Sequence, residues 1–191
     1  MSKPKILVFA GSTRQQSFNK KLIRIAVGGA EAAGGDLTLI DLRDYPMPLY
    51  DGDLEANSGI PDNGMKLKKL FLEHRGLLLS CPEYNSSISG VLKNTLDWVS
   101  RTAPGEKPLE CFKGKAVTLM SASPGNLGGL RGLVHVRAIL GNIGCIVLPD
   151  QIAVNKAGEA FDEDGQLRDA NQQKAIQSLG AGLVDFLRRL Q

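Results

Sequence analysis

The chain is poor in the residues that build metal centres. It has three cysteines and two histidines in 191 residues. Cys81, Cys111 and Cys145 are odd in number, widely spaced and form no C-x-x-C pair. That argues against a zinc or iron–sulfur site and for a reducing compartment, with the cysteines acting as small residues in or near the core. His74 and His135 have no cysteine, histidine or carboxylate at ligand spacing, so no metal is expected. Asp162-Glu163-Asp164 lacks the glycine and final glutamate of a calcium loop. Ser123 has no G-x-S-x-G context, which removes the nucleophile-elbow reading. Long apolar runs are also missing. The first, Ile6-Leu7-Val8-Phe9-Ala10, is too short for a signal core or a membrane span, so a cytoplasmic protein without membrane contact is expected. No internal repeat, linker or low-complexity tract appears, and residues 1–191 read as one domain.

Neither sign of charge dominates. The formal net charge is +3 and the isoelectric point is near 8.8. The short clusters Lys20-Lys21, Lys66-Lys68-Lys69 and Arg188-Arg189 fall in helical patterns as solvated faces, so nucleic acid is not an expected partner. A mildly basic surface suits acidic small molecules such as phosphorylated compounds and oxyanions.

What is present is an alternation of strand and helix. Residues 6–10, 76–80 and 116–120 are continuous apolar runs, the mark of strands buried on both faces. Residues 36–42 and 145–148 supply two more strands, and 152–154 extend the last. Helical spacing follows each: from Ser17 to the Gly34-Gly35 stop, through Met65, Leu67, Leu70 and Phe71, over 90–101, over 128–143, and through Ile176 to Leu190. His74 is placed at a helix C-terminus, where a partly charged imidazole is comfortable. Residues 44–63 carry Pro46, Pro48 and Pro61 and read as one long irregular loop; 158–165 reads as an acidic loop. Five alternating units predict a parallel sheet with helices on both faces, Rossmann-like or flavodoxin-like. Five units in this length favour the flavodoxin order 2-1-3-4-5, an α/β three-layer sandwich. A ligand then sits beyond the C-terminal strand ends, at the loops after strands one, three and four.

The first of these loops reads Gly11-Ser12-Thr13-Arg14-Gln15-Gln16-Ser17-Phe18-Asn19. It leads a buried strand into a helix N-terminus, where free N–H groups and the dipole suit a phosphate. Ser12, Ser17 and Asn19 add side-chain donors and Arg14 adds charge; the spacing is neither G-x-G-x-x-G nor a Walker loop. The second, Pro82-Glu83-Tyr84-Asn85-Ser86-Ser87-Ile88-Ser89-Gly90, suits main-chain groups reading the edge of a flat heterocycle, or else is a turn that caps the next helix. The third, Ser121-Ala122-Ser123-Pro124-Gly125-Asn126-Leu127-Gly128-Gly129, is small enough for close backbone approach to a ligand. Arg101 reads foremost as a cation at a helix C-terminus.

These three stretches together, with the segment from Pro82 to Arg101 the most specific, resemble the NADPH-dependent FMN reductase family, and most of all its bacterial quinone and chromate reductases. The resemblance spans nearly the whole chain. It implies a flavodoxin-like fold, bound FMN, NADPH or NADH as reductant, and a homodimer or homotetramer. Ser12, Arg14, Ser17, Phe18 and Asn19 would hold the FMN phosphate end. Pro82 would shape the turn in which Glu83, Tyr84, Asn85 and Ser86 frame the isoalloxazine ring, and Ser123 would match a flavin contact. In such dimers the loop with Leu49, Tyr50 and Asp51 approaches the partner's flavin. The implied reaction is a ping-pong cycle: hydride passes to flavin N5, then electrons pass to quinones, or to chromate, azo or nitro acceptors, with no side chain as obligatory acid or base. A non-catalytic flavodoxin-type electron carrier and a redox-sensing flavin module stay open as alternatives.

Overall fold

The computed structural model describes residues 3–190. The main sheet takes β1 (Lys5–Ala10), β2 (Asp36–Leu39), β3 (Gly76–Ser80), β6 (Ala116–Ala122) and β7 (Ile146–Val154). All neighbours are parallel, in the order β2-β1-β3-β6-β7, which is the flavodoxin-like 2-1-3-4-5 once the small hairpin of β4 (Glu83–Tyr84) and β5 (Ser87–Ile88) is set aside. Alternation along each strand divides two cores. Ile6, Val8, Leu78, Ala116 and Met120 face α1 (Phe18–Ala32) and α7 (Ala170–Arg189). Leu7, Phe9, Leu77, Leu79, Val117 and Leu119 face the other layer, α3 (Asp62–Glu73), α4 (Gly90–Val99) and α5 (Leu130–Asn142). Each large side chain so buried contributes roughly 1.5–3 kcal/mol.

Several local expectations change. Within 44–63 the chain forms α2 (Gly52–Ser58), capped by Asp51, whose carboxylate accepts the N–H groups of Asp53 and Leu54 at 2.7 and 3.2 Å. α2 buries no residue, so it carries no apolar period from which a helix could be read. β2 stops at Leu39, because Asp41 caps a 3-10 turn (Leu42–Asp44) instead. The strand expected over 145–148 begins at Ile146, and residues 146–148 and 152–154 belong to one edge strand with an irregular middle, where Pro149 sits as an edge tolerates. α6 (Ala157–Ala160) and a bridge between Phe161 and Leu167 replace much of the acidic loop. His74 is buried: Nδ1 lies 2.6 Å from the Leu70 carbonyl oxygen and Nε2 lies 2.7 Å from Thr38 Oγ1.

α1 and α7 touch backbone to backbone. A Cβ on Gly180 would stand 2.0 Å from the Ala26 carbonyl oxygen, and one on Gly29 would stand 2.0 Å from that of Gln177. Gly182, two residues on and turned to the other side of the same helix, has open space around it. Helix propensity alone favours alanine over glycine by about 0.8–1.0 kcal/mol. We therefore expect opposite signs. Gly182→Ala should raise the melting temperature. Gly180→Ala should lower it, by about 1–3 kcal/mol of overpacking net of that gain, as thermal denaturation would show.

Candidate functional site

The loops after β1, β3 and β6 meet at the C-terminal edge of the sheet and enclose a groove of about 210 Å³. Its lining includes Ser12, Arg14, Ser17, Phe18, Asn19, Pro82, Glu83, Tyr84 and Ser123, nine of the residues singled out from the sequence. Asn85 and Ser86 lie at the tip of the adjoining hairpin. The structure separates these residues into ligand-facing groups and groups that hold the loops.

Ser17 is the N-cap of α1, yet its side chain makes no capping hydrogen bond. By contrast Asp51, Ser89 and Asp169 cap their helices with side-chain oxygens. The Phe18 and Asn19 N–H groups thus have no side-chain cap, and their residues line the groove with Ser12 and Ser17, while Arg14 is exposed at the mouth. This donor set suits an anion with several acceptor oxygens, and a phosphate above all.

Asn19, in the groove lining, also does work not expected of it. Its Nδ2 donates to the Ala122 carbonyl oxygen at 2.8 Å, and its Oδ1 accepts from the Ala122 N–H at 3.0 Å and from Ser80 Oγ at 2.8 Å. The amide ties the start of α1 to the ends of β3 and β6, so Asn19 positions the loop, and one of its two Nδ2 hydrogens is used in doing so. Phe18 lines the groove, and its ring stacks on Phe161 with centroids 5.9 Å apart.

The second loop is a β-hairpin, which the sequence reading missed. Glu83 pairs with Ile88 and Tyr84 with Ser87, around a turn in which Asn85 and Ser86 have φ of 50° and 66°. Two consecutive left-handed residues make a primed turn, and Asn at the first of them was the available signal. Ser89 caps α4 through the Leu92 N–H and also donates to the Gly11 carbonyl oxygen at 2.6 Å, joining the first and second loops. Glu83 lines the groove, but its side chain is committed to α5. Its carboxylate accepts from Arg131 Nε and Nη2 at 3.1 and 2.9 Å and from the Gly132 N–H at 3.0 Å. Burial alone would raise its pKa. The Gly132 N–H and the Arg131 guanidinium outweigh that and hold it below the ordinary carboxylate range. The acid nearest the groove is thereby neutralised, and any ring contact falls to the hairpin main chain and to Tyr84, which is half exposed.

The glycines of the third loop approach protein rather than open space. A Cβ on Gly128 would lie 2.7 Å from the Val154 carbonyl carbon, and one on Gly129 would lie 2.8 Å from Ser121 Oγ. They let the loop fold under the groove, with φ of 61° and 96°. Ser123 remains in the lining.

The segment with Leu49, Tyr50 and Asp51 is pinned by two residues not singled out before. Asn94 Nδ2 and Trp98 Nε1 both donate to the Pro48 carbonyl oxygen, at 2.9 and 2.8 Å, and Asn94 Oδ1 accepts from the Tyr50 N–H. Their spacing of four on α4 was the legible clue. The Arg101 guanidinium donates to the Asp97 carbonyl oxygen and Ser100 Oγ and lies over the Tyr50 ring, 5.1 Å from its centroid. That is the helix-end role expected of it. Leu49 is 80% exposed. All three cysteines are buried, and burial pushes the Cys81 thiol up to about 12, which makes it inert at neutral pH.

Residues 4–159 match the family model described as NADPH-dependent FMN reductase. An NAD(P)H-dependent FMN reductase of Pseudomonas aeruginosa is 34% identical over 187 residues, covering 97% of this chain and 96% of its own. A quinone reductase of Escherichia coli is 34% identical over 154 residues, 81% of this chain and 75% of its own. The solved structure of FerB, a flavoenzyme NAD(P)H:(acceptor) oxidoreductase from Paracoccus denitrificans, superposes with a TM-score of 0.80 at 27% identity, covering 97% and 98% of the two chains.

Two outcomes follow from this geometry. Asn19→Ala strands the buried Ser80 hydroxyl and both main-chain groups of Ala122, so differential scanning should show a loss of about 2–4 kcal/mol. Glu83, Asp41 and Glu106 are all held below their usual pKa, in each case with partner hydrogen bonds outweighing burial. A depressed carboxylate stabilises the fold above its unfolded pKa and loses that contribution as pH falls through the folded value. Denaturant midpoints should therefore be flat near neutrality and fall below about pH 5, and Glu83→Gln should shrink that acid-side drop.

Proposed function

The chain belongs to the NADPH-dependent FMN reductase family, and from that premise we propose that it passes electrons from NADPH or NADH through FMN to quinones. The observation that carries the reading is the uncapped α1 N-terminus, where Ser12, Ser17 and Arg14 face a groove whose lining acid is already paired. That donor set fits the phosphate end of FMN. The Ser12 and Ser17 hydroxyls donate to phosphate oxygens, Arg14 neutralises charge at the mouth, and the first-turn N–H groups complete the cradle. The Asn19 amide keeps this cradle at a set distance from the β6 end. Pro82 and the hairpin residues Glu83, Tyr84, Asn85 and Ser86 offer main-chain groups and the Tyr84 ring to the flat heterocycle, with Ser123 opposite. When bound, FMN supplies hydride acceptance and release at N5, and the protein supplies binding, orientation and electrostatics.

No side chain is assigned as acid or base. The groove is shallow and open, so acceptor discrimination is weak; chromate, azo and nitro compounds are further acceptors of the same site. Reductant and acceptor use one face in turn, which is a ping-pong order. Exposed Leu49, Leu127, Leu130 and Val134 supply apolar surface for a homodimer or a pair of dimers. Three buried, unpaired cysteines accord with the cytoplasm.

The test is an absorbance spectrum of the purified protein followed by NADPH without oxygen. Flavin bands near ~450 nm that bleach, and parallel initial-rate lines with a quinone, are the expected result. Bands that persist would mean a carrier or sensor, and a protein that takes up no FMN would overturn the reading. Arg14→Ala and Ser17→Ala should each weaken FMN affinity by roughly tenfold, the worth of one charge-assisted hydrogen bond, as fluorescence titration would measure.

A further inference from the structure

β7 leaves the sheet for three residues and strands a hydroxyl behind it. Val117 pairs with Val147 and Leu119 with Gln151, so Leu148, Pro149 and Asp150 all stand opposite Thr118. Thr118 is 1% exposed, and its Oγ1 is the one buried side-chain oxygen or nitrogen without a hydrogen-bond partner among the described residues. The alternation of β6 turns it to the α7 side, with Ala116 and Met120. There it lines a cavity of about 690 Å³ between β7 and α7.

The excursion is built in. From α5, on the opposite face, Arg137 donates to the carbonyl oxygens of Val147, Leu148 and Pro149 at 3.2, 2.8 and 3.3 Å and to Gln151 Oε1 at 3.3 and 3.0 Å. On α7 the space is kept by small residues. Ala175, Ser178 and Gly182 line the cavity, and a Cβ on Gly182 would meet nothing within 4 Å. Leu148, Ile152, Leu179 and Phe186 give it apolar walls. Asp185, also in the lining, pairs with Arg188, and Gln151 is engaged by Arg137. Asp150 and Arg189, of opposite charge, and Ser178 complete the polar part of the lining. Volume, carbon-rich walls, no net excess of charge from this pair and one buried hydroxyl without a partner are the make-up of a site for an uncharged small molecule. A buried polar group left unpaired costs stability, so a partner for it is worth binding energy.

We propose that this cavity is a binding site for a small, uncharged, mostly apolar molecule whose single hydroxyl or carbonyl oxygen pairs with Thr118. It shares no lining residue with the three-loop groove and is independent of flavin chemistry. The probe is 2-naphthol, titrated into FMN-loaded protein with isotope-labelled methyl groups. Saturable shifts at the methyls of Ile152 and Leu179 are expected. Thr118→Val should weaken binding about tenfold, the loss of one hydrogen bond, and raise the melting temperature by relieving the stranded hydroxyl. Gly182→Leu should abolish the shifts by filling the space while leaving quinone reduction unchanged. Shifts that survive Gly182→Leu, or that are confined to groove residues, overturn the proposal. So does a melting temperature that is unchanged or lower in Thr118→Val, because the hydroxyl is then already satisfied by water. A change of particle mass in Gly182→Leu by light scattering also overturns it, since a second copy of the chain then covers the cavity.

Discussion

The amide of Asn19 is the constraint on which the groove depends. One side chain makes both main-chain hydrogen bonds of Ala122 and receives the Ser80 hydroxyl, so the β1 loop, the end of β3 and the end of β6 are one unit. Buried polar groups tolerate little displacement when each partner is satisfied by another. The position of Ser17 and the direction of the α1 N-terminus follow from this clasp, because Asn19 is in the first turn of the same helix. The donors at the groove are held at set distances by a polar contact across the sheet ends.

The same division of labour recurs at the hairpin. Its tip occupies left-handed backbone conformations that cost on the order of 1–3 kcal/mol each outside glycine, and such strain persists only where neighbours enforce it. The enforcement comes from α5. Arg131 and the Gly132 N–H grip the Glu83 carboxylate, and Ser87 Oγ lies 2.9 Å from Nδ1 of His135. Charged and polar side chains are consumed in fixing the loops, and the main chain is left to meet a ligand. For a family whose chemistry resides in a bound flavin, that is a sufficient contribution from the protein.

Arg137 extends the pattern to the sheet edge. It is half of a bidentate arrangement with the β7 excursion, and it keeps carbonyl groups satisfied where the ladder with β6 is interrupted. An edge strand can bulge without unravelling its neighbours because only one side of it is paired. The cavity behind it is a consequence of where the ladder breaks.

Much of this was legible in the order of residues. Runs such as Ile6-Leu7-Val8-Phe9 and Leu77-Leu78-Leu79 encode strands buried on both faces, and their alternation with amphipathic helices leaves few topologies; that is a local signal repeated five times. The three loops were legible because a doubly wound sheet brings the same strand ends together in every case. Elements without a buried face were not. α2 buries nothing, and the two-residue strands of the hairpin are too short for any period. Above all, the roles of single polar side chains required the tertiary structure. That Asn19 also clasps Ala122, and that the Glu83 carboxylate is held by Arg131 and Gly132, depends on partners at sequence separations of 48 to 103. Hydrophobic periodicity is a property of neighbours along the chain, whereas a hydrogen-bond partner is a property of neighbours in space. The fold and the meeting of the three loops could thus be read from neighbours along the chain, whereas which side chains at the groove are tied to the protein and which are left free depends on neighbours that only folding brings together.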